Sequence, residues 1–374
     1  MLLTVRTAWR RVGAGVLALG LAACDRVADV PPPRTLSVGE MHQLIQSASK
    51  GKRVDVGWAT DMQRAFLRLD VPATRANVCS AIAVVAQESG FVADPPVTGL
   101  ADITLKKLQS ASQNPAAYAA INIRLRQTAA NGRSFYDNLL GVRTERDLER
   151  WYQAFTAAHM TAGLLKLAGK DVDTLISTLG SMQVSARFAR AFAEAHDLPA
   201  QDIREQLYTR AGGLFYGMAH LLKVESHYAD RAHLFADYNA GHFASRNAGF
   251  QRMLAKISGI EVVPDGDLLT YPSGTKPQPS LTYRVVLAAL GQYGRAADPN
   301  TVFADLSREK GADFIRTATY RTIAELHQQR TGHVITEAMP QIDLHSDKIS
   351  RRLTTEWFAR RVASRYTQCL RATL

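Results

Sequence analysis

One glutamate at the end of an apolar helix face is the residue of this sequence best suited to acid–base chemistry. Apolar residues recur at helical spacing from Val78 to Val85, and Glu88 continues that face just before Gly90. Apolar surroundings and the last turn of a helix both disfavour a carboxylate, so both raise its pKa. A glutamate that keeps its proton near neutral pH can act as a general acid. The pattern predicts a catalytic Glu88, although a solvated or arginine-paired glutamate would produce the same spacing.

Three short motifs around and after this glutamate resemble those of one enzyme family. Residues 87–91, Gln-Glu-Ser-Gly-Phe, resemble the catalytic motif of the soluble lytic transglycosylases and goose-type lysozymes, where the glutamate ends a buried helix. Residues 180–183, Gly-Ser-Met-Gln, resemble the Gly-Leu-Met-Gln of that family. Residues 237–241, Asp-Tyr-Asn-Ala-Gly, resemble its Ala-Tyr-Asn-Ala-Gly. The motifs keep the family's order, and the resemblance covers about residues 74–255.

The resemblance implies a lysozyme-like α fold that cleaves the glycan strands of peptidoglycan without a cofactor. Glu88 would protonate the glycosidic oxygen and then take the proton of the muramoyl 6-hydroxyl, which closes a 1,6-anhydro ring. Tyr238 would orient the reacting sugar, and Asn239 would brace the local turn. Gln183 would hydrogen-bond the sugar, whereas Met182 would contact it or fill the core. The implied substrate-binding residues are Ser89, Met182, Gln183, Tyr238 and Asn239.

The sequence departs from the family pattern between the first two motifs. Glu88 and Gly180 are 92 positions apart, where the family has a few tens, and Ser181 replaces the usual leucine. Residues 101–170 would therefore form an inserted helical segment, either a lid or an extra wall of the groove. An insert that closed the groove would favour the alternative function, a non-enzymatic envelope lipoprotein that binds peptidoglycan or assists assembly.

Other polar residues leave further chemistry open. A second carboxylate beside Glu88 would favour hydrolysis by water over anhydro-ring formation. The spacing selects none of the candidates, which are Asp94, Asp102, Glu225 and Asp237. Four histidines cluster near the third motif, but they lack the spacing of a metal-binding motif, so no metal is predicted. These are His220, His227, His233 and His242.

The start of the chain resembles a bacterial lipoprotein signal. Three arginines precede the short apolar run Val12–Ala23, and the run ends in Leu-Ala-Ala-Cys at Cys24. The resemblance implies a signal peptide over residues 1–23 and a diacylated Cys24, followed by a proline-rich spacer over residues 24–36. The protein would face the periplasm from a membrane, and Asp25 favours the inner membrane. The alternative is an ordinary signal peptide with a chance cysteine.

Charge and cysteine content restrict the partners. The formal charge is +11, and loss of three arginines with the signal peptide leaves about +8, which favours anionic polymers or phospholipid headgroups. No dense basic run or aromatic stacking motif indicates nucleic acid. With Cys24 lipidated, Cys79 and Cys369 remain, and an oxidising periplasm allows them to form a disulfide. Two buried thiols that never meet are the alternative.

Helical patterns dominate the rest of the sequence, so the predicted fold class is mainly α. Apolar stripes at helical spacing lie near Leu148, Leu214 and Trp357. Residues 260–263 and 280–286 alternate like short strands. The Pro- and Gly-rich stretch that starts at Pro264 is the best boundary. We therefore expect a lysozyme-like domain over residues 37–263, and a C-terminal helical region over residues 264–374 packed on it.

Overall fold

α-Helices form most of the described structure, which confirms the predicted mainly α fold class. The computed structural model describes residues 33–111, 115–159, 172–224, 226, 228–272, 276–344 and 353–374. The predicted signal peptide and Cys24 lie outside these residues. None of the described helices is both long and apolar enough to cross a membrane. Residues Arg34–Leu374 form one compact unit.

The described helices range from 4 to 17 residues in length. In chain order they are α1 (Val38–Ala48), α2 (Gly57–Arg68), α3 (Arg75–Glu88), α4 (Leu100–Ala111), α5 (Pro115–Leu125), α6 (Phe135–Leu140), α7 (Glu145–His159), α8 (Val172–Leu175), α9 (Ala186–Ala195), α10 (Ile203–Leu207), α11 (Arg210–Leu222), α12 (Arg231–Ala240), α13 (Ala244–Ser258), α14 (Leu281–Gln292), α15 (Pro299–Leu306), α16 (Ala318–Thr331) and α17 (Thr355–Arg371). A 3₁₀ turn, Ala312–Arg316, precedes α16.

Strands in the described residues are limited to two antiparallel pairs of two residues each. β1 (Thr178–Leu179) pairs with β2 (Val184–Ser185) between α8 and α9. β3 (Asp343–Leu344) pairs with β4 (Leu353–Thr354) before α17. The first pair forms a tight hairpin whose tip is the second sequence motif.

Polar side chains fix where several helices begin. The hydroxyl of Thr74 accepts a hydrogen bond from the Asn77 backbone N–H at 3.2 Å, so α3 begins at Arg75. The hydroxyl of Ser280 accepts from the Tyr283 N–H at 3.0 Å and starts α14. The strand-like reading of residues 280–286 is therefore wrong. The Ser280 cap and the burial of one helical face outweigh the β propensity of this segment.

Two hydrophobic cores organise the protein. The first joins α1–α3, α6, α7, α11 and α12, and the second joins α13–α16. Helix α17 follows the second core in the sequence but returns to the first, where Phe358, Ala359 and Val362 are buried. α17 packs along α3 and α12. Residues 264–374 thus contribute to both cores, and their last helix lies against the helix that carries Glu88.

Candidate functional site

Glu88 is the last residue of α3 and is half-buried. The helix cannot continue because Gly90 and Phe91 both adopt left-handed backbone conformations, with φ of 58° and 66°. The backbone N–H groups of Ser89 and Gly90 both donate to the Val85 carbonyl at 3.0 Å. The Ser89 hydroxyl also donates to that carbonyl, at 3.2 Å. Ser89 therefore closes the helix end, and Glu88 lies where the chain turns sharply away.

The Tyr238 hydroxyl lies close to Glu88 and to the second motif. Tyr238 is 8% exposed and donates a hydrogen bond to the Met182 carbonyl at 2.6 Å. Burial raises the pKa of Tyr238 well above its usual value, and the negative charge of Glu88 raises it further. The phenol therefore remains protonated, and its single O–H is engaged by the Met182 carbonyl. The fold brings together residues from three motifs that are 56 or more positions apart in sequence.

The hairpin between β1 and β2 holds Met182 in place. Gly180 has φ of 73°, and a Cβ atom there would lie 2.0 Å from the Leu207 carbonyl oxygen. Met182 is fully buried against Gly217 of α11, where a Cβ atom would lie 2.3 Å from the Met182 sulfur. The thioether therefore fills the core, while the Met182 backbone carbonyl serves Tyr238.

Gln183 is tied to neighbouring protein groups. Its amide nitrogen donates to the Glu145 carboxylate at 3.2 Å and to the Gly180 carbonyl at 3.1 Å. Its amide oxygen accepts from the Thr178 hydroxyl at 3.0 Å. Glu145 begins α7 and is only 2% exposed, so the predicted insertion places a buried carboxylate against the hairpin. The sequence did not indicate this role for Glu145, because an acid at a helix start is normally a solvated residue.

Among the contacts of the described residues, none joins Asp94 or Asp102 to Tyr238. Asp94 lies near Thr144 and Arg146 at the start of α7, and burial raises its pKa. Asp102 is exposed in the first turn of α4. Glu225 and His227 lie outside the described residues.

Asp237 faces a different network from its neighbour Tyr238. It is 2% exposed, and its carboxylate accepts from the Tyr228 hydroxyl at 2.7 Å and the Ser245 backbone N–H at 2.6 Å. Burial raises the pKa of Asp237 to about 6. Asp237 therefore caps the start of α13. Asn239 is exposed, and its side-chain oxygen accepts from the Thr355 hydroxyl at 3.0 Å. It links α12 to the start of α17.

Two histidines form a hydrogen-bonded chain that ends at the backbone carbonyl of Tyr238. His242 Nε2 lies 2.7 Å from His220 Nδ1, and His220 Nε2 lies 3.2 Å from the Tyr238 carbonyl oxygen. Burial lowers the pKa of His220 to about 3, and burial also lowers the pKa of His242. Both rings are therefore neutral at physiological pH. The described residues contain no group of three or more histidines, cysteines or acids placed to hold a metal ion.

Helix α17 braces α3 on another side. A disulfide joins Cys79 to Cys369, with their Cα atoms 5.5 Å apart. The Gln87 side-chain oxygen accepts from Arg361 Nε at 3.0 Å and from Arg365 Nε at 3.2 Å. Sequence reasoning missed both arginines, because nothing in the spacing shows that α17 runs along α3. The helix end that presents Glu88 is thus held by a covalent bond and by two charged hydrogen bonds.

This arrangement suits proton transfer at one carboxylate. Glu88 is half-buried within electrostatic range of a protonated phenol, and the Met182 carbonyl fixes the orientation of that phenol. A carboxyl group in such surroundings can give a proton to a leaving oxygen and later accept one. Gln183 and Met182 shape the hairpin through internal contacts.

The comparisons with known proteins cover both cores. The sequence model of a family described as a protein of unknown function (DUF1615) matches residues 52–372. The chain is similar to the uncharacterized protein YaiW of Escherichia coli (strain K12), with 31% identity over 359 residues, 94% of this chain and 96% of that relative. No solved structure matches the chain. The family match extends from before α3 into α17, so it includes Glu88, the hairpin and the helix that braces them.

Proposed function

Since the chain belongs to the DUF1615 family, we propose a function for it from the geometry of the candidate site. It is a lytic transglycosylase that cleaves peptidoglycan glycan strands between N-acetylmuramoyl and N-acetylglucosaminyl residues. One observation carries the proposal: Glu88 ends a buried helix within electrostatic range of Tyr238, whose hydroxyl the Met182 carbonyl holds.

The proposed reaction uses Glu88 twice. Its carboxyl group protonates the glycosidic oxygen as the bond to the anomeric carbon breaks. The resulting carboxylate then takes the proton of the muramoyl 6-hydroxyl while that oxygen bonds to the same carbon, which gives a 1,6-anhydro ring. Glu88 lies near enough for its charge to raise the pKa of Tyr238. In the proposed reaction Tyr238 orients the reacting sugar.

The positions of the other acids support a single-carboxylate mechanism. A hydrolase would need a second carboxylate across the scissile bond. Asp237 accepts from a backbone N–H at the start of α13, and Glu145 accepts from Gln183. Both acids thus serve protein groups, which supports attack by the sugar hydroxyl.

The lipid anchor belongs to the same proposal. A diacylated Cys24 followed by a proline-containing spacer would hold the site on the periplasmic face of a membrane, the inner one if Asp25 acts as a sorting residue. The glycan strands would be the partner, and the membrane would be contacted through the anchor.

A second candidate function is a non-enzymatic peptidoglycan-binding or assembly lipoprotein. The internal engagement of Gln183 and the full burial of Met182 favour it, because both residues would contact sugar in an enzyme of the resembled family. A helical insertion whose Glu145 contacts the hairpin also fits a groove adapted to binding alone.

A digest separates the two functions. The purified full chain is incubated with isolated peptidoglycan at several pH values, and the soluble products are identified by mass spectrometry. Glu88→Gln retains the shape and removes the titrating group. Glu194→Gln, the same change at an exposed position near the end of α9, is the matched control. Anhydromuramoyl products that disappear only with Glu88→Gln would support the transglycosylase.

Other outcomes contradict it. Products with reducing ends would indicate a hydrolase. Absence of products from all proteins, together with sedimentation of the protein with the cell wall, would favour the binding function.

A further inference from the structure

A cavity beside the start of α13 has the composition of a ligand site. Its volume is about 590 Å³, and it opens between the loop before α12, the start of α13, the 3₁₀ turn and α16. Neither Glu88, Tyr238 nor the hairpin lines it. The volume falls in the range of small-molecule pockets, which are mostly apolar with a few polar groups that orient the ligand.

Apolar and aromatic side chains form most of its wall. Phe243 and Tyr320 are 7% and 8% exposed, so their rings are fixed by packing, whereas Ile315 is 45% exposed at the rim. The Tyr320 ring packs on Phe314, with centroids 5.3 Å apart. Such rings offer an apolar surface to an aliphatic or aromatic ligand body.

Arg246 gives this wall a buried positive charge. It is 6% exposed, and its guanidinium lies 4.3 Å from the centre of the Phe243 ring. Its N–H groups donate to the side-chain oxygen of Asn247 at 2.9 and 3.1 Å, to the Gly311 carbonyl at 2.8 Å and to the Glu309 carbonyl. All these acceptors are neutral.

No carboxylate among the described residues balances that charge at contact distance. Within the described part of the chain, Arg246 forms no ion pair. Burial lowers the pKa of the Arg246 guanidinium to about 10, and Asp237 and Asp313 raise it only through longer-range interactions. A buried cation is stabilised best by an anion that it contacts directly. The free energy of the protein therefore favours an anionic group at this position in the cavity.

We propose that this cavity binds a small carboxylate with an aliphatic or aromatic body. The carboxylate lies at Arg246, and the body packs on Phe243, Tyr320 and Ile315. Glu337 also lines the cavity, and its carboxylate accepts a hydrogen bond from Thr336. Glu337 excludes a second acidic group, so the proposed ligand is a monocarboxylate. The inference does not depend on the reaction proposed for Glu88.

Three probes of similar shape but different charge test whether the cavity prefers an anion. The full chain is titrated by calorimetry with 4-phenylbutyrate, its neutral amide 4-phenylbutanamide, and the cation 4-phenylbutylamine. The acid is expected to bind saturably and at least about tenfold more tightly than the amide, since a hydrogen bond to a charged group contributes more than a neutral one. Equal binding of acid and amide, preference for the amine, or absence of saturable binding by the acid would each overturn the proposal.

Variants locate the site. Arg246→Met should remove the preference for the acid over the amide. Because Arg246 also braces the Glu309 and Gly311 carbonyls, this change risks misfolding, so Ile315→Glu is the second variant. It adds a carboxylate at the exposed rim and should weaken acid binding at least about threefold by repulsion. The matched control, Glu337→Gln, should retain or strengthen acid binding. Unchanged affinity of folded Ile315→Glu would contradict the assignment.

Discussion

The disulfide between α3 and α17 should contribute several kcal/mol to stability. It closes a loop of 290 residues, and the chain-entropy relation for a loop of that length gives about 5.7 kcal/mol at 25 °C. Measured effects of native disulfides are usually smaller than this relation predicts, so we expect Cys79→Ala/Cys369→Ala to lower the free energy of unfolding by about 3–6 kcal/mol.

The contacts that remain explain why the double variant should still fold. Gln87 accepts from both Arg361 and Arg365, and Phe358 and Val362 stay buried in the first core. The main effect therefore lies in the freedom of the unfolded chain, which the disulfide restricts. The loss of the two buried sulfur atoms should lower the free energy of unfolding by roughly a further 1 kcal/mol per side chain.

Urea unfolding followed by circular dichroism measures the effect, with and without a thiol reductant. Reductant should shift the midpoint of the wild type towards that of the double variant and leave the variant unchanged. Without the disulfide, unfolding should expose more surface, so the m-value of the variant should be larger than that of the wild type. A loss below about 1 kcal/mol, or an equal effect of reductant on both proteins, would refute the reasoning that this bond restrains the unfolded chain.

Three further perturbations address the candidate site. The pKa of His220 is about 3 when folded and about 6.5 when unfolded, so stability falls as pH drops below 6.5. Between pH 6.5 and 4.5, His220→Gln should lose about 2.3 kcal/mol less than the wild type in urea unfolding, and equal losses would contradict this. Gln183→Glu places a carboxylate against buried Glu145, so thermal unfolding at pH 7 should show a loss of about 2 kcal/mol or more that uncharged Gln183→Met does not reproduce. Gly217→Ala pushes its methyl group into Met182, so we expect a loss of about 1–3 kcal/mol and a lower yield in the peptidoglycan digest; an unchanged melting temperature would argue against tight packing there.

Local sequence patterns predicted where helices form better than they predicted which helices pack together. The stripes near Leu148, Leu214 and Trp357 all lie on helices, because a helix packed on one face must repeat apolar residues at that spacing. Residues 280–286 misled the same reasoning, since β-branched and aromatic residues also suit a helix that buries one face.

Long-range contacts of the site had no local signal. In the sequence Glu145 resembles an ordinary acid in a first helical turn, but in the structure it is buried and contacts Gln183. Arg361 and Arg365 resemble solvated residues of a terminal helix. The cysteine count allowed a disulfide, but it could not show which face of α3 that bond would support.

The third motif combines three physical roles in adjacent residues of α12. Tyr238 contacts the Met182 carbonyl beside Glu88, Asp237 caps α13, and Asn239 accepts from Thr355 of α17. Each residue therefore has a structural reason to occupy its position in a binding protein as well as in an enzyme. The motif therefore does not by itself distinguish the two functions. Glu88→Gln distinguishes the two functions because it alters acid–base chemistry and leaves these three contacts in place.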